Sequence, residues 1–223
     1  PEFPNRPEEL APAMCAIYKE YFEKAVVTKE DEEKTRQYAE NSKRSQLQSL
    51  ALSFGDYLKD LQIKIEKVSP LENLERFMQL MNKTNQFNLT TTRYELSQLQ
   101  KILEDSSKKV YLYRVEDRFG DYGIVAALIL DVGEIPTITD FVMSCRVMGK
   151  NVEYGILSMV EKELWELHCN KLQGRYIPTA KNKPVEKLYE RAGYKAVGKS
   201  GAADLYELDL HSNPEREFYL EII

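Results

Sequence analysis

Leu10, Met14, Ile17, Tyr18, Tyr21 and Phe22 fall on one face of a helix. A very polar stretch, KEDEEKTRQYAENSKRSQLQ, follows, with Thr28 and Asp31 placed as a capping box at its start. It has too few apolar residues to bury much, which predicts a solvated connector helix. Ser53 is placed to cap a short helix carrying Phe54, Tyr57, Leu58 and Leu61. This part of the chain lacks the alternation of strands and helices that a layered core needs. Residues 1–61 therefore read as a helical connector or as the remnant of a preceding domain.

From residue 62 the period changes. IKIEKV alternates and predicts a strand. Ser69, Pro70 and Glu72 predict the start of a helix with Leu71, Leu74, Phe77, Met78 and Met81 on its apolar face. The polar segment NKTNQFNLTTT separates it from a second helix, opened by Thr92 and Glu95 and carrying Leu96, Leu99, Ile102 and Leu103. Two long strands, KKVYLYRVED and YGIVAALILDV, are joined by RFGD, a hairpin signal. TITDFVMSC predicts a further strand. A helix over about 152–168, the strand GRYIPT, the helix PVEKLYERA closed by Gly193, and the strand DLYELDL complete the order. This order predicts an α+β or α/β fold with a mixed sheet over 62–210, and a tail over 211–223.

Composition narrows the function classes. The chain has 223 residues, 43% hydrophobic and 30% charged, the balance of a globular protein. A net charge of -5 argues against a general nucleic-acid binder. No apolar run approaches the roughly 18 residues of a membrane span, and the start PEFPNRPEEL has neither the basic end nor the apolar core of a signal peptide. Cys15, Cys145 and Cys169 are far apart and show no CxxC spacing, so a reducing cytoplasm is expected. Two histidines, His168 and His211, predict no His-rich metal site.

The junction SCRVMGKNVEYG concentrates the candidate chemistry. It places a thiol, two cations and a glycine where a strand meets a helix. Helix N-terminal amides are unpaired and favour anions, and a glycine there lets an anion approach the backbone. Arg146, Gly149, Lys150 and Asn151 are therefore candidate phosphate contacts, and ordinary surface charges are the plain alternative. A cation and a helix N-terminus also lower a thiol pKa, which makes Cys145 a candidate acyl carrier; an inert core cysteine is the plain alternative. Strand alternation would turn Cys145 and Arg146 to opposite faces unless the strand bulges. Cys15 and Cys169 read as structural. His168 is excluded as a base for Cys145, because about 16 residues of helix, roughly 24 Å, separate them.

The element order and two local motifs resemble the GNAT N-acyltransferase fold. Arg146-Val147-Met148-Gly149-Lys150-Asn151 is similar to that family's [QR]-x-x-G-x-[GA] loop, departing at Asn151, and NKPVEKLYERAGY, from Asn182 to Tyr194, is similar to its late helix. The words NKTNQFNLTT, VEDRFGDYGIVA, DFVMSCRVMGKNVE and RYIPTAKNKPV resemble the C-terminal GNAT-like part of FkbH-like proteins, members of HAD superfamily subfamily IIIC. The resemblance implies an acyltransferase domain that handles a small, glyceryl-type acyl group bound for the phosphopantetheine thiol of an acyl carrier protein. It implies a pantetheine arm, on a carrier or on coenzyme A, held near Arg146, Gly149, Lys150, Asn151 and Asn182. It also implies Tyr189 as general acid toward the leaving thiolate, and a HAD domain in the same or a longer chain as partner. No D-x-D-x-[TV] phosphatase motif occurs here. Asn85, Gln86 and Asn88, with Thr179 after the fifth strand, offer groups suited to the hydroxyls of a polar acyl group; helix caps and loop backbone are the plain alternative. A non-catalytic docking module for a carrier's pantetheine, and an acetyl-CoA-dependent N-acetyltransferase, remain as alternatives.

Overall fold

The computed structural model describes residues 6–22, 29–212, 216 and 218–223. The chain divides into two compact units, Pro1–Ser45 and Gln46–Ile223. In the first, α1 (Pro7–Ile17) runs into a π-helical turn, Tyr18–Phe22, and no residue of α1 is buried. Cys15 is exposed, so the expectation of a structural cysteine does not hold there. α2 (Lys29–Leu50) carries the polar stretch. The capping box expected at Thr28 lies outside the described residues.

The second unit begins with the end of α2 and α3 (Phe54–Leu61), whose cap forms as its sequence predicts: the Ser53 Oγ accepts from the Asp56 amide at 3.1 Å. Tyr57, Leu58 and Leu61 are buried in the domain core, so α3 belongs to this unit. An eight-stranded sheet follows: β1 (Ile63–Val68), β2 (Lys108–Asp117), β3 (Gly120–Asp131), β4 (Thr137–Met143), β5 (Lys171–Tyr176), β6 (Lys195–Ser200), β7 (Ala203–Asp209) and β8 (Leu220–Ile222), in the spatial order β6-β7-β5-β4-β3-β2-β1-β8. β4–β5 and β1–β8 are parallel and the other pairs antiparallel. β8 lies in what the sequence suggests is only a tail; at three residues it is too short to signal itself. β6 has no sequence signal either, because every residue of KAVGKS is exposed and no apolar alternation marks it.

One sheet face is covered by α4 (Leu74–Lys83) and α5 (Leu96–Glu104), around Phe77, Leu80, Met81, Leu99 and Val142. The other face carries the larger core, with Ile156, Leu157, Val160 and Leu164 from α6 (Val152–Glu166) and Leu188 and Tyr189 from the four-residue α7 (Leu188–Arg191). α4 starts later than Ser69 and Pro70 suggest, since residues 70–73 form a turn first. The capping box of α5 is Glu95 with Gln98, not Thr92 with Glu95. Among the described residues no helix is long and apolar enough to cross a membrane.

Candidate functional site

β4 ends at Met143, and the chain turns at once into a short 3-10 helix, Cys145–Val147. Ser144 opens it, its Oγ accepting from the Arg146 amide at 3.4 Å, while buried Val147 anchors it to the core. Cys145 is therefore not a strand residue, and the alternation that opposed a shared face with Arg146 does not apply. Its thiol is exposed. Gly149, at φ +72°, takes the left-handed conformation that reverses the chain before α6.

Cys145 and Arg146 line a cavity of about 470 Å³ against α4 and the segment after it. α4 contributes Arg76 and Lys83. Arg76 donates Nε to the Ile124 carbonyl at 2.9 Å and Nη1 to Gln79 Oε1 at 3.3 Å. Burial lowers the pKa of its guanidinium, and the Arg146 charge lowers it further. The sequence gives no sign of Arg76 and Lys83 as site residues, because helical spacing marks only the apolar face of α4. Asn85 and Gln86 both line the cavity, but the Asn85 Oδ1 already accepts from Arg93 at 2.6 Å.

The remaining candidates lie elsewhere. Lys150 donates to the Arg146 carbonyl at 3.2 Å and its ammonium sits 5.5 Å from the Tyr122 ring centroid, and neither Gly149, Lys150 nor Asn151 lines the cavity. Asn88 is wholly buried: its Oδ1 accepts from the Thr90 and Thr91 amides and its Nδ2 donates to the Thr84 carbonyl. The expectation that Asn88 faces a substrate is thus corrected, since its donors and acceptors hold the loop together. Asn182 is also fully buried, donating to the Asn88 and Ile177 carbonyls and accepting from Tyr176 and from the Thr179 amide and hydroxyl. Both Asn182 and Thr179 serve this knot, which replaces the coenzyme and substrate contacts expected of them. Cys169 is half-buried against the larger core.

The knot has a consequence for the sheet. β4 and β5 pair only at Thr137–Gln173 and Ile138–Gly174, then diverge. Into the divergence goes Phe87–Leu89. The Met143 amide donates to the Phe87 carbonyl at 3.0 Å, the Leu89 amide to the Phe141 carbonyl at 3.1 Å, and the Ile177 amide to the Leu89 carbonyl at 2.8 Å. All three residues of the wedge are buried.

Tyr189, the expected general acid, lies beneath β5, stacked at 5.4 Å on Tyr206. A Cβ on Gly174 would come within 2.2 Å of the Tyr189 ring, so only glycine admits it. The hydroxyl is sealed and has no hydrogen-bond partner in good geometry; burial holds its pKa above the ordinary value, with Asp140 raising it further and a weak contact with the Arg175 backbone opposing the rise. An acid that must meet a leaving thiolate needs access, and Tyr189 borders neither the Cys145 cavity nor three further cavities of the domain.

Asp140 escapes sequence reasoning, although an aspartate inside an otherwise apolar strand is itself a signal. It accepts from Thr90 at 2.6 Å and Tyr94 at 2.8 Å, and burial raises its carboxyl pKa. It borders a second cavity of about 380 Å³ with Thr92, Thr139 and Arg175.

Coenzyme A, which the resemblance implies, is matched poorly by the start of α6. The Glu153 carboxyl is buried there against its own amide, with Oε2 unpartnered, and opposes an incoming phosphate, while Lys150 is turned to Tyr122 and the Arg146 carbonyl. No catalytic step is therefore assigned to coenzyme A. Among the described residues no group of three His, Cys, Asp or Glu side chains is placed to hold a metal.

No protein-family model and no curated protein matches the chain. Solved structures do. A domain from Methanocaldococcus jannaschii DSM 2661 superposes with a TM-score of 0.53 at 17% identity, over 66% of this chain and 97% of that one. A GNAT-family protein from Desulfovibrio desulfuricans gives 0.51 at 12%, over 66% and 99%. The ribosomal-protein-S18-alanine N-acetyltransferase of Escherichia coli gives 0.50 at 11%, over 70% and 99%. These likenesses establish the fold: a mixed sheet with helices, of the GNAT type, preceded by N-terminal helices.

Proposed function

We propose that the chain is the acyltransferase part of an FkbH-like protein, moving a small polar acyl group between thiols. Cys145 carries the group as a thioester, and the acceptor is the phosphopantetheine thiol of an acyl carrier protein. The observation that carries this reading is the exposed Cys145 thiol in the wall of a cavity that also presents Arg146. The Cys145 thiolate attacks the thioester carbonyl carbon; a C–Sγ bond forms, the donor C–S bond breaks, and the departing thiolate takes up a proton. Transfer to the acceptor thiol repeats the exchange in reverse. Thiol-to-thiol transfer is nearly neutral in energy, so positioning matters more than driving force.

Intact-protein mass spectrometry after incubation with a glyceryl-pantetheine thioester tests this. A covalent adduct on the wild type, lost in Cys145→Ala, is expected. If folded wild-type protein takes no adduct, Cys145 is not a carrier, and the docking-module reading replaces this one. That second reading is favoured by the burial of the Tyr189 hydroxyl, which leaves no accessible acid in the expected position. Acetyl-CoA-dependent N-acetylation rests on likeness of fold alone.

A further inference from the structure

We infer that the second cavity, bordered by Asp140 and Arg175, is a binding site for a small zwitterion, a molecule that offers an ammonium to Asp140 and a carboxylate to Arg175.

Asp140 comes from β4 and Arg175 from β5, and both line a cavity of about 380 Å³, a volume in the range of small-molecule sites. Asp140 is only 2% exposed. Its partners are hydroxyls: Thr90 and Tyr94 donate to it, and these two with Thr92 and Thr139 oppose the rise in pKa that burial causes. None of the four carries a positive charge, and among the described residues Asp140 forms no ion pair. Arg175 is the converse. Its Nε is buried without a hydrogen-bond partner, and its side chain forms no ion pair among the described residues. Lys108, the other cation of the lining, is taken by Asp131. One cavity therefore holds an unmatched anion and an unmatched cation that are not joined to each other.

A charge withdrawn from water is costly until an opposite charge meets it. A lone anion in this cavity would satisfy Arg175 and be repelled by Asp140, and a lone amine would do the reverse. A neutral molecule would leave both charges as they are. A zwitterion satisfies both. Its ammonium brings charge to a carboxylate that has only neutral donors, and its own carboxylate accepts from the guanidinium. Ile102, Ile129 and Ile177 give the same cavity an apolar wall for the carbon skeleton that joins the two groups. Cys145 and Arg146 line the other cavity, and the two linings have no residue in common, so this inference does not depend on the proposed acyl transfer.

Two zwitterions of different span, L-valine and 5-aminopentanoate, probe the site by isothermal titration of the full chain. Each is run beside its singly charged counterparts: isobutylamine and 3-methylbutanoate for valine, butylamine and pentanoate for 5-aminopentanoate. At least one zwitterion should bind, with both of its counterparts at least about tenfold weaker. Asp140→Asn and Arg175→Gln should each lose about tenfold in affinity for it. Arg175→Gln breaks no side-chain hydrogen bond or ion pair among the described residues, so it keeps the test valid if Asp140→Asn unfolds. Binding of neither zwitterion, equal binding of a zwitterion and one of its counterparts, or wild-type affinity in either folded variant overturns the site.

Discussion

Arg216 and Arg76 lie in the same domain, each partly withdrawn from water, in opposite surroundings. Arg216 donates to the Ala192 carbonyl at 2.9 Å and pairs with both oxygens of Glu161 at 2.9 Å, while Tyr194 donates to the same carboxylate at 2.7 Å. Its side chain is only 2% exposed. Every charge in that cluster has its opposite beside it, and the result fastens the C-terminal segment to α6. Arg76 meets neutral acceptors and a second guanidinium, beside a cavity. The first charge is compensated within the fold; the second lies beside a cavity with no carboxylate among the residues that line it.

The largest test of this contrast is Arg216→Ala. It leaves Glu161 buried without its cation, and a loss of about 3–5 kcal/mol in chemical denaturation is expected. A loss below about 1 kcal/mol would remove the distinction between the two arginines.

Glu153 is the intermediate case, a buried carboxyl with Oε2 unpartnered. Burial raises its pKa above the ordinary value, so the folded protein holds that proton more tightly than the unfolded chain. Its contribution to stability is full below the ordinary carboxylate range and is lost as pH rises through the raised value. Glu153→Gln has no such loss. Thermal melts across this range should show the variant gaining on the wild type as pH rises, on the order of 1 kcal/mol for each pH unit between the ordinary and the raised pKa. A constant difference across pH would show that Glu153 does not titrate there.

The smallest effect is predicted for Arg146→Gln. Its side chain is exposed and unpaired with any carboxylate among the described residues, so stability should stay within about 0.5 kcal/mol of wild type. Unchanged stability in chemical denaturation is the signature that separates it from Arg216→Ala.

Much of the domain was legible in the sequence. Alternation marks β1 and longer apolar runs mark β2 to β4, and the Ser53 cap, the hairpin at Arg118 and Phe119, and the span of α6 all match local rules. The site was legible in part. The words around Cys145 and Arg146 singled out a turn that lines a cavity, but Arg76 and Lys83, which line it too, sit on a helix whose pattern reports only its buried face. Asn88 looked like a substrate contact and Asn182 like a pantetheine contact because amide side chains in loops are equally suited to binding a ligand or the backbone.

The sequence by itself determined the order of the helices and of β1 to β5 and β7, the strand-to-helix junction and the presence of a thiol beside a cation there, because period, caps and glycines act over a few neighbouring residues. Only the tertiary structure decided that Cys145 leaves the strand, that Phe87–Leu89 fill the divergence of β4 and β5, that Tyr189 is sealed beneath Gly174, and that Arg76 and Lys83 face Arg146. Each of these depends on segments distant in sequence competing for the same hydrogen bonds and the same space, and which of them prevails is fixed only when the sheet and its helices are assembled.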